Sequence, residues 1–491
     1  MTKPLLLLTL SFLLAGCTVG PDFHAPPPPT VQGYAPQPPK PAADAQAFVE
    51  NQDIPADWWT IFHAPALDAL IRQALKANPD LKSAQAALKI AMEDVKAQMG
   101  AYYPSIGAGL GAGRNKDAAE LSPTLASSVL LYNLYRAQLS VSWAPDIWGA
   151  NRRQVETLKA VEDAQRFALR ATYVAIAANI VAAAIQEASL NDQIATTQAM
   201  IADARRILDI ERRRQALGEI SGADVAQRET ALAQAEQMLP PLEKQLAQQR
   251  DLLTALVRRL PSDAVTENFT LADLHLPRDL PLSLPSRLVR QRPDIRIAEE
   301  NLHAASAQIG VAIADMLPNI TLGADDGTVA TRLGQLLAPG NGFWSLGAEL
   351  TQPVFDGGMM LHHVSAARDA YDQAAAQYRS AIIAAFQNVA DTLHAIETDT
   401  RAFDAARDAE AAAAKNYAIA RAQVAEGQTG RLALLDTGQS YQQARIALMQ
   451  AEAGRLSDTA ALFQALGGGW WNTAGLQEKQ PRPQFTVSKQ D

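Results

Sequence analysis

Cysteine, histidine and aromatic residues are scarce in this chain. Its 491 residues include one cysteine, Cys17, and seven histidines, and aromatic residues make up 6% of the sequence. A single cysteine excludes a disulfide within the chain and any metal site built from several thiolates. We find no arrangement of side chains that would support catalysis. We therefore expect no enzymatic activity, no resident metal and no cofactor other than a covalent lipid.

An excess of basic residues is also absent. The chain has 43 lysines and arginines against 52 aspartates and glutamates, which gives a formal charge of −9 at pH 7. Nucleic-acid-binding proteins normally carry a basic patch or a basic excess. We therefore expect no nucleic-acid partner.

Long apolar runs are missing as well. A membrane-spanning helix needs about 20 apolar residues, whereas the only early run, Leu5 to Leu14, is short and follows Lys3. This pattern is typical of a signal peptide, which we assign to residues 1–16. The run ends in Leu14-Ala15-Gly16-Cys17, which resembles a bacterial lipobox. Cys17 is then the first mature residue and the expected site of lipid attachment.

Proline is absent from two long stretches and concentrated in a third. None occurs between Pro145 and Pro240 or between Pro353 and Pro481, whereas ten of the 28 prolines fall between Pro21 and Pro55. The proline-rich stretch predicts an extended N-terminal arm over residues 17–57. The proline-free stretches repeat apolar residues every three or four positions, which is typical of coiled-coil helices. A helix of about 65 to 70 residues would be about 100 Å long.

The chain also contains an internal duplication. Arg292-Pro293-Asp294-Ile295 repeats Asn78-Pro79-Asp80-Leu81, and Leu317-Pro318-Asn319-Ile320 repeats Tyr103-Pro104-Ser105-Ile106, both at an offset of 214 residues. We predict a first repeat at 58–260, a linker at 261–284, a second repeat at 285–469 and a C-terminal tail at 470–491. Each repeat is expected to run helix, strand, loop, strand, long helix, turn, helix.

Four segments alternate between apolar residues and small or polar residues, at about 103–113, 136–144, 318–326 and 344–352. Strands with one apolar face are typical of membrane β-barrels, although a half-buried sheet of a soluble protein is the alternative. Four strands cannot close a barrel, and lipid does not tolerate an open sheet edge. A membrane role therefore requires several copies, and three chains would supply twelve strands. The connections Asn115–Leu134 and Gly327–Gly342 are expected to lie outside the cell.

The chain resembles the TolC-like outer-membrane efflux proteins, in the lipoprotein (NodT-type) branch that serves resistance-nodulation-division pumps. The similarity covers nearly the whole chain in order. It is carried by Cys17 to Phe23, Trp58-Trp59 through Ile71, Arg292 to Ile295 with Ala298-Glu299, Ile309 to Ala312, Leu317-Pro318, Gln352 to Gly358 and Leu466 to Trp470.

The resemblance implies a mixed α/β membrane protein that forms a homotrimer. A twelve-stranded transmembrane β-barrel in the outer membrane of a Gram-negative bacterium would continue into a periplasmic α-helical barrel. An equatorial belt would combine the linker with the N- and C-terminal segments. The implied partners are outer-membrane lipid, a periplasmic adaptor and an inner-membrane pump of the resistance-nodulation-division type.

The resemblance also implies two functional sites. The adaptor would bind at the helix-to-helix turns marked by Gly218, Gly427, Gly430 and Arg431. A periplasmic gate would be formed by rings of Leu432 and Asp436, with Asp224 contributing from the first repeat. Alternatively, Asp224 and Asp436 only favour helix N-termini.

The resulting functional hypothesis is an exit duct for small toxic compounds or drugs. A duct for secreted polypeptides and a duct for metal-ion efflux are the alternatives. Met359-Met360 beside His362-His363 could bind a soft metal, but adjacent histidines on a helix point in different directions and no carboxylate pair completes a site.

Overall fold

The computed structural model describes residues 18–31, 33–34, 46–50, 52–116 and 131–473. The signal peptide 1–16, Cys17 and tail residues 474–491 lie outside the described residues. The described helices are α1 Pro65–Ala77, α2 Pro79–Met99, α3 Ala150–Ala216, α4 Gly222–Leu256, α5 Pro285–Gln291, α6 Pro293–Ala314, α7 Met359–Ala425 and α8 Arg431–Ala465. The strands are β1 Ala47–Glu50, β2 Ser105–Lys116, β3 Leu131–Trp143, β4 Asp279–Leu282, β5 Asn319–Ala330 and β6 Gly342–Thr351.

The two halves of the chain have the same architecture. The long helices α3 and α7 each contain 67 residues, and the helices that follow them, α4 and α8, each contain 35. Strands β2 and β5 each contain 12 residues. The predicted duplication and the predicted order of elements are confirmed.

The chain folds into two compact units, each built from segments of both halves. Unit 1 contains arm residues 18–26 with the described part of Ala87–Gln165 and with Ile297–Arg379. Unit 2 contains the described part of Pro27–Ala86, Arg166–Arg296 and the described residues from Ser380 onward.

The core of unit 2 explains the apolar centre of α3. By length and composition alone this helix could cross a membrane, but 61% of its most apolar stretch is buried inside the protein. Ala177, Ile180, Ala184, Ile185 and Ala188 are fully buried at intervals of one to four residues. Small alanines between the larger side chains allow neighbouring helices to approach closely. This stretch has the burial of a core helix.

Unit 1 contains a four-stranded sheet in the order β2-β3-β5-β6, with every neighbouring pair antiparallel. The four predicted strands are therefore confirmed in the described part of the chain, but they are longer than the alternating sequence predicts. Asn115 pairs with Tyr132 and Lys116 with Leu131, because backbone pairing continues where the apolar alternation has ended. The expected connections Asn115–Leu134 and Gly327–Gly342 were thus too long: the second reduces to residues 331–341, and residues 117–130 of the first lie outside the described part of the chain.

Arm, linker and C-terminal segment contact one another in unit 2. Strand β1 of the arm pairs in parallel with β4 of the linker. Asn472 Nδ2 donates to Asp53 Oδ2 at 2.9 Å and to the Ile54 carbonyl at 2.8 Å. Gly469 adopts φ +67°, and a Cβ there would lie 2.3 Å from the Pro55 carbonyl oxygen. The three segments that the resemblance assigns to a belt are thus held together by backbone pairing and a glycine-dependent close approach.

Candidate functional site

The strand register sorts the side chains of the unit 1 sheet onto two faces. Residues directly opposite each other share a face, and one row across the sheet is Ile106, Val141, Ala324 and Leu346. Large side chains on this face are exposed, with Leu110 at 87% and Leu346 at 78%. Such a face is stable in lipid, whereas in water it would expose an extended apolar surface.

The opposite face is small and polar. One of its rows is Gly107, Ser140, Asp325 and Ser345. Ser345 Oγ donates to Asp325 Oδ2 at 3.0 Å, and Gln138 Nε2 donates to Ser140 Oγ at 3.0 Å. These side chains give one sheet the apolar and polar faces of a membrane barrel wall.

The apolar face carries one acidic residue. Asp326 lies opposite Leu139 on one side and Trp344 on the other, and its side chain is exposed. The predicted alternation of β5 holds for Ile320, Leu322 and Ala324 and ends at this carboxylate. The apolar surface of β5 is therefore shorter than the strand.

The two helix-to-helix turns have the same backbone geometry. Gly218 and Gly427 adopt φ +76° and +72°, and a Cβ on either would meet no atom within 4 Å. The amide of Glu219 donates to the Arg214 carbonyl, and the amide of Gln428 donates to the Gln423 carbonyl. This pattern is a glycine C-cap in the left-handed conformation. Backbone conformation, not crowding, requires glycine at both positions.

The helices that leave these turns begin differently. Ser221 caps α4 in a capping box, in which Ser221 Oγ accepts from the Asp224 amide and Asp224 Oδ2 accepts from the Ser221 amide at 3.0 Å. The Ser221 hydroxyl, which donates to Asp224 Oδ2 at 2.8 Å, and then the Ser221 amide lower the pKa of Asp224, and the cationic Arg214 and Arg228 add to this shift. Gly430 caps α8 without a side-chain hydrogen bond. Asp224 thus takes part in the N-terminal cap of α4.

Asp436 forms an ion pair that the sequence did not reveal. Arg228 Nη1 of α4 donates to Asp436 Oδ1 of α8 at 2.9 Å. Arg228 is 17% exposed and Asp436 is 50% exposed. Leu432 lies four residues before Asp436 on α8 and is half-buried, so the two share a helix face. The chain therefore places a cation against the carboxylate expected at the gate.

Two predicted site residues cannot be placed in full. Cys17 lies outside the described residues, and for Arg431 only the backbone, as the first residue of α8, is described. Arg228 is the functional candidate that sequence reasoning missed. Its position four residues after Asp224 was the available signal, because it puts the two side chains on one face of α4.

Among the described residues, no group of three or more His, Cys, Asp or Glu side chains could hold a metal ion. His362 and His363 lie in the first turn of α7, where Asp356 accepts hydrogen bonds from the amides of Gly358 and Met360. Asp356 thereby satisfies helix N-terminal amides.

Known proteins resemble the chain over nearly its whole length. A family model described as outer membrane efflux protein matches residues 70–257 and 284–468. The antibiotic efflux pump outer membrane protein ArpC of Pseudomonas putida is 29% identical over 98% of each chain. The toluene efflux pump outer membrane protein TtgF of Pseudomonas putida is 30% identical over 95% of this chain and 96% of that protein.

The fold matches a solved outer-membrane channel. OprN superposes with a TM-score of 0.82 at 25% sequence identity, over 92% of this chain and 100% of the OprN chain. This chain therefore has the fold of that channel over nearly its whole length.

Proposed function

Because this chain belongs to the outer membrane efflux protein family, we propose that it is the exit duct through which a tripartite pump exports small toxic compounds. As a member of this family it is an outer-membrane efflux channel and not an enzyme. The relatives ArpC and TtgF are named for antibiotic and toluene efflux. These names support small organic compounds as the exported class.

The observation that carries the proposal is the sheet with one uncovered apolar face. Among the described residues, β2 and β6 each have one edge without a pairing strand, and the hydrocarbon core of a membrane does not tolerate such an edge. Three copies joined edge to edge would close twelve strands. A barrel of that size exceeds the eight strands whose interior is filled by side chains. The protein therefore acts as a homotrimer with a water-filled pore lined by the Asp325 row.

The two turns are the proposed contact for the periplasmic adaptor. Residues near Gly218 and Gly427 are exposed and follow the two 67-residue helices, α3 and α7. The inner-membrane pump, of the resistance-nodulation-division type, engages the adaptor. Substrate choice resides in that pump.

Cys17 is the proposed lipid attachment site, and it tethers the mature chain to the outer membrane. The sequence Leu14-Ala15-Gly16-Cys17 supports this assignment. Removal of residues 1–16 leaves the acylated cysteine as the first residue.

The ion pair between Arg228 and Asp436 suggests how the resting channel is kept closed. In a threefold assembly the three Asp436 carboxylates would repel one another as they converged. Arg228 neutralises each of them within its own protomer. The proposed gate therefore consists of Leu432 and Asp436 on α8, held by Arg228 on α4.

A deletion strain complemented with variants tests the proposal. The wild-type gene should restore resistance to antibiotics and survival in toluene without changing protein secretion or tolerance of copper and silver. Arg431→Glu at the second turn should weaken resistance, because it reverses a charge at the adaptor contact. Lys415→Glu is the matched control, since Lys415 is exposed on the same hairpin but lies several turns away.

Three results would contradict the proposal. Loss of a secreted polypeptide in the deletion strain would favour the secretion alternative. Loss of copper or silver tolerance alone would favour metal efflux. Full resistance with Arg431→Glu would show that the adaptor does not bind at this turn.

A further inference from the structure

The start of the N-terminal arm contacts one site in unit 1. The Val19 amide donates to the Trp148 carbonyl at 3.1 Å. Arg153, in the first turn of α3, reaches the arm through two of its nitrogens. Its Nε donates to the Val19 carbonyl at 3.1 Å, and its Nη2 donates to the Gly20 carbonyl at 3.2 Å and to Asp22 Oδ1 at 2.8 Å.

The side chain of Arg153 is buried in this site. Its side chain is only 5% exposed, and its remaining terminal nitrogen donates to Glu156 Oε2 at 2.8 Å. A buried guanidinium that lost its acceptors would carry a large desolvation cost. Since the arm supplies three of the acceptors, the buried position of Arg153 depends on the arm being in place.

Glycines make the approach of the arm possible. Gly20 has φ +90°, and a Cβ on it would lie 2.4 Å from Gly310 Cα. A Cβ on Gly310 would lie 2.9 Å from the Val19 carbonyl oxygen and 2.8 Å from Arg153 Cγ. The arm and α6 therefore cross backbone to backbone, and side chains at either position would separate them.

An aromatic contact holds the far end of this segment. The rings of Phe23 and His303 stack at a centroid distance of 4.4 Å and an angle of 13°. His303 Nε2 lies 3.0 Å from Glu156 Oε1 and its Nδ1 lies 3.5 Å from Glu300 Oε2. Burial disfavours the imidazolium, but the hydrogen bonds to Glu156 and Glu300 outweigh it and raise the pKa of His303 to about 9. The stacked ring is therefore cationic at neutral pH.

The site lies where the strands of unit 1 meet its helices. Trp148 Nε1 donates to the Pro318 carbonyl at 2.8 Å, one residue before β5 begins. A Cβ on Gly149 would lie 2.8 Å from the Thr18 side chain, so Thr18 is in contact with the segment that follows β3. Thr18, the first residue that the structure describes, is thus held at the base of the sheet.

We propose that Arg153, His303 and Gly310 form a docking site for Val19–Phe23, which holds the lipid-bearing N-terminus at the base of the transmembrane strands. The acyl chain then enters the membrane beside its own sheet instead of at the end of a free tether. This inference rests on the proposed lipid at Cys17 for its consequence, but the docking itself requires no lipid.

Spin labelling of the full-length protein tests the docking without the lipid. Because Cys17 is the single cysteine, Cys17→Ser gives a cysteine-free chain, into which His24→Cys introduces one exposed site next to Phe23. A nitroxide at this position in the purified protein should give an immobilised spectrum. Arg153→Gln and, separately, Gly310→Ala should each cause loss of the immobilised component.

Matched controls separate docking from general damage. Lys159→Gln removes an exposed positive charge from the same helix, and Gly100→Ala adds a methyl group where no atom lies within 4 Å. Both should keep the immobilised spectrum. Asp22→Asn, at a side chain that is 83% exposed, should loosen the arm without affecting folding, so it provides a test if Arg153→Gln does not fold.

Defined outcomes would overturn the docking site. A mobile spectrum in the labelled protein that carries only Cys17→Ser and His24→Cys would mean that the docking contacts do not hold the arm without the lipid. An immobilised spectrum in Asp22→Asn, Arg153→Gln and Gly310→Ala alike would mean that other contacts hold it. Labelling of the wild-type chain with radioactive palmitate is a separate readout: absence of label with an immobilised arm would refute the lipid and leave the docking site intact.

Discussion

Arg228 Nη1 donates to Asp436 Oδ1 at 2.9 Å, and this contact joins the two 35-residue helices of the duplicated halves. The arginine and aspartate occupy different positions in their repeats, since the counterpart of Arg228 in α8 is Thr437. The ion pair therefore exists once per chain. A threefold assembly would contain three such pairs around its axis.

Breaking this pair should open the channel. An ion pair with one exposed partner contributes up to about 1 kcal/mol, which corresponds to roughly a fivefold change in the ratio of open to closed channels. We expect Arg228→Gln to raise mean conductance in planar bilayers, and Asp436→Ala with Leu432→Ala to raise it further and to sensitise cells to large antibiotics. The double exchange Arg228→Asp with Asp436→Arg should restore low conductance.

Arg212→Gln is the control for that experiment. Arg212 Nη2 pairs with Glu229 Oε1 at 2.8 Å between α3 and α4 and does not involve α8. Its loss should leave conductance unchanged. Wild-type conductance in both Arg228→Gln and the Asp436 variants would eliminate this gate.

Asp224 should behave as a helix cap and not as a gate residue. Asp224→Ala removes the hydrogen bonds that the amide and the hydroxyl of Ser221 donate to Asp224 Oδ2, so amide hydrogen exchange should accelerate in the first turn of α4. Conductance should remain within the range of the wild type. Ser221→Ala should reproduce the faster exchange. A large conductance change in Asp224→Ala alone would show that Asp224 is part of the gate.

The duplication could be predicted from the sequence, because a Pro-Asp pair marks equivalent helix starts in the two halves and a Pro-x-Ile segment marks equivalent strand starts. It also predicted the sheet, since a period of two in Ile106, Ala108 and Leu110 is independent of the rest of the fold. The strand ends were misjudged at Asn115 and Lys116, where pairing depends on the backbone of β3 and not on apolar side chains.

The functional residues were harder to assign. The spacing Ser221-x-x-Asp224 is itself a capping signal, and it would have favoured the helix-terminus role for Asp224. The partner of Asp436 could not be read from the chain, because Arg228 lies 208 residues away. Only the packing of α4 against α8 decides which of their surface charges meet. The docking of Val19–Phe23 could not be predicted from the sequence either, because it also depends on how distant segments pack.

The carboxyl pair Asp399 and Asp458 should make stability depend on pH. Asp399 of α7 occupies space left by Gly454, where a Cβ would lie 2.7 Å from Asp399 Oδ2. Burial, and then the hydrogen bond and charge of Asp399, raise the pKa of Asp458 to about 7. A carboxyl whose pKa is raised by folding stabilises the folded protein fully at pH values below its pKa in the unfolded chain, which is about 4. This stabilisation is lost as the pH rises through 7.

Asp458→Asn should therefore raise the thermal midpoint at pH 8 and change it little at pH 4, because the amide can donate to Asp399 as the protonated acid does. Calorimetry of the purified protein at both pH values measures this. Asp408→Asn is the control, since Asp408 is an exposed acid on α7. An equal change at both pH values would show that Asp458 remains ionised in the folded protein.

Loss of the His303 proton should destabilise the protein with its docked arm at alkaline pH. Its folded pKa of about 9 lies above the ordinary value of about 6.5, so its contribution to stability is complete below pH 6.5 and is lost as the pH rises through 9. The contribution is on the order of 3 kcal/mol at 1.36 kcal/mol per pKa unit. The deprotonated ring loses its charge-assisted contacts with Glu156 and Glu300. We expect the thermal midpoint of the wild-type protein to fall between pH 6.5 and 9, and that of His303→Gln to be lower at pH 6.5 and flatter across this range. Equal pH slopes for the two proteins would assign the alkaline loss to another group.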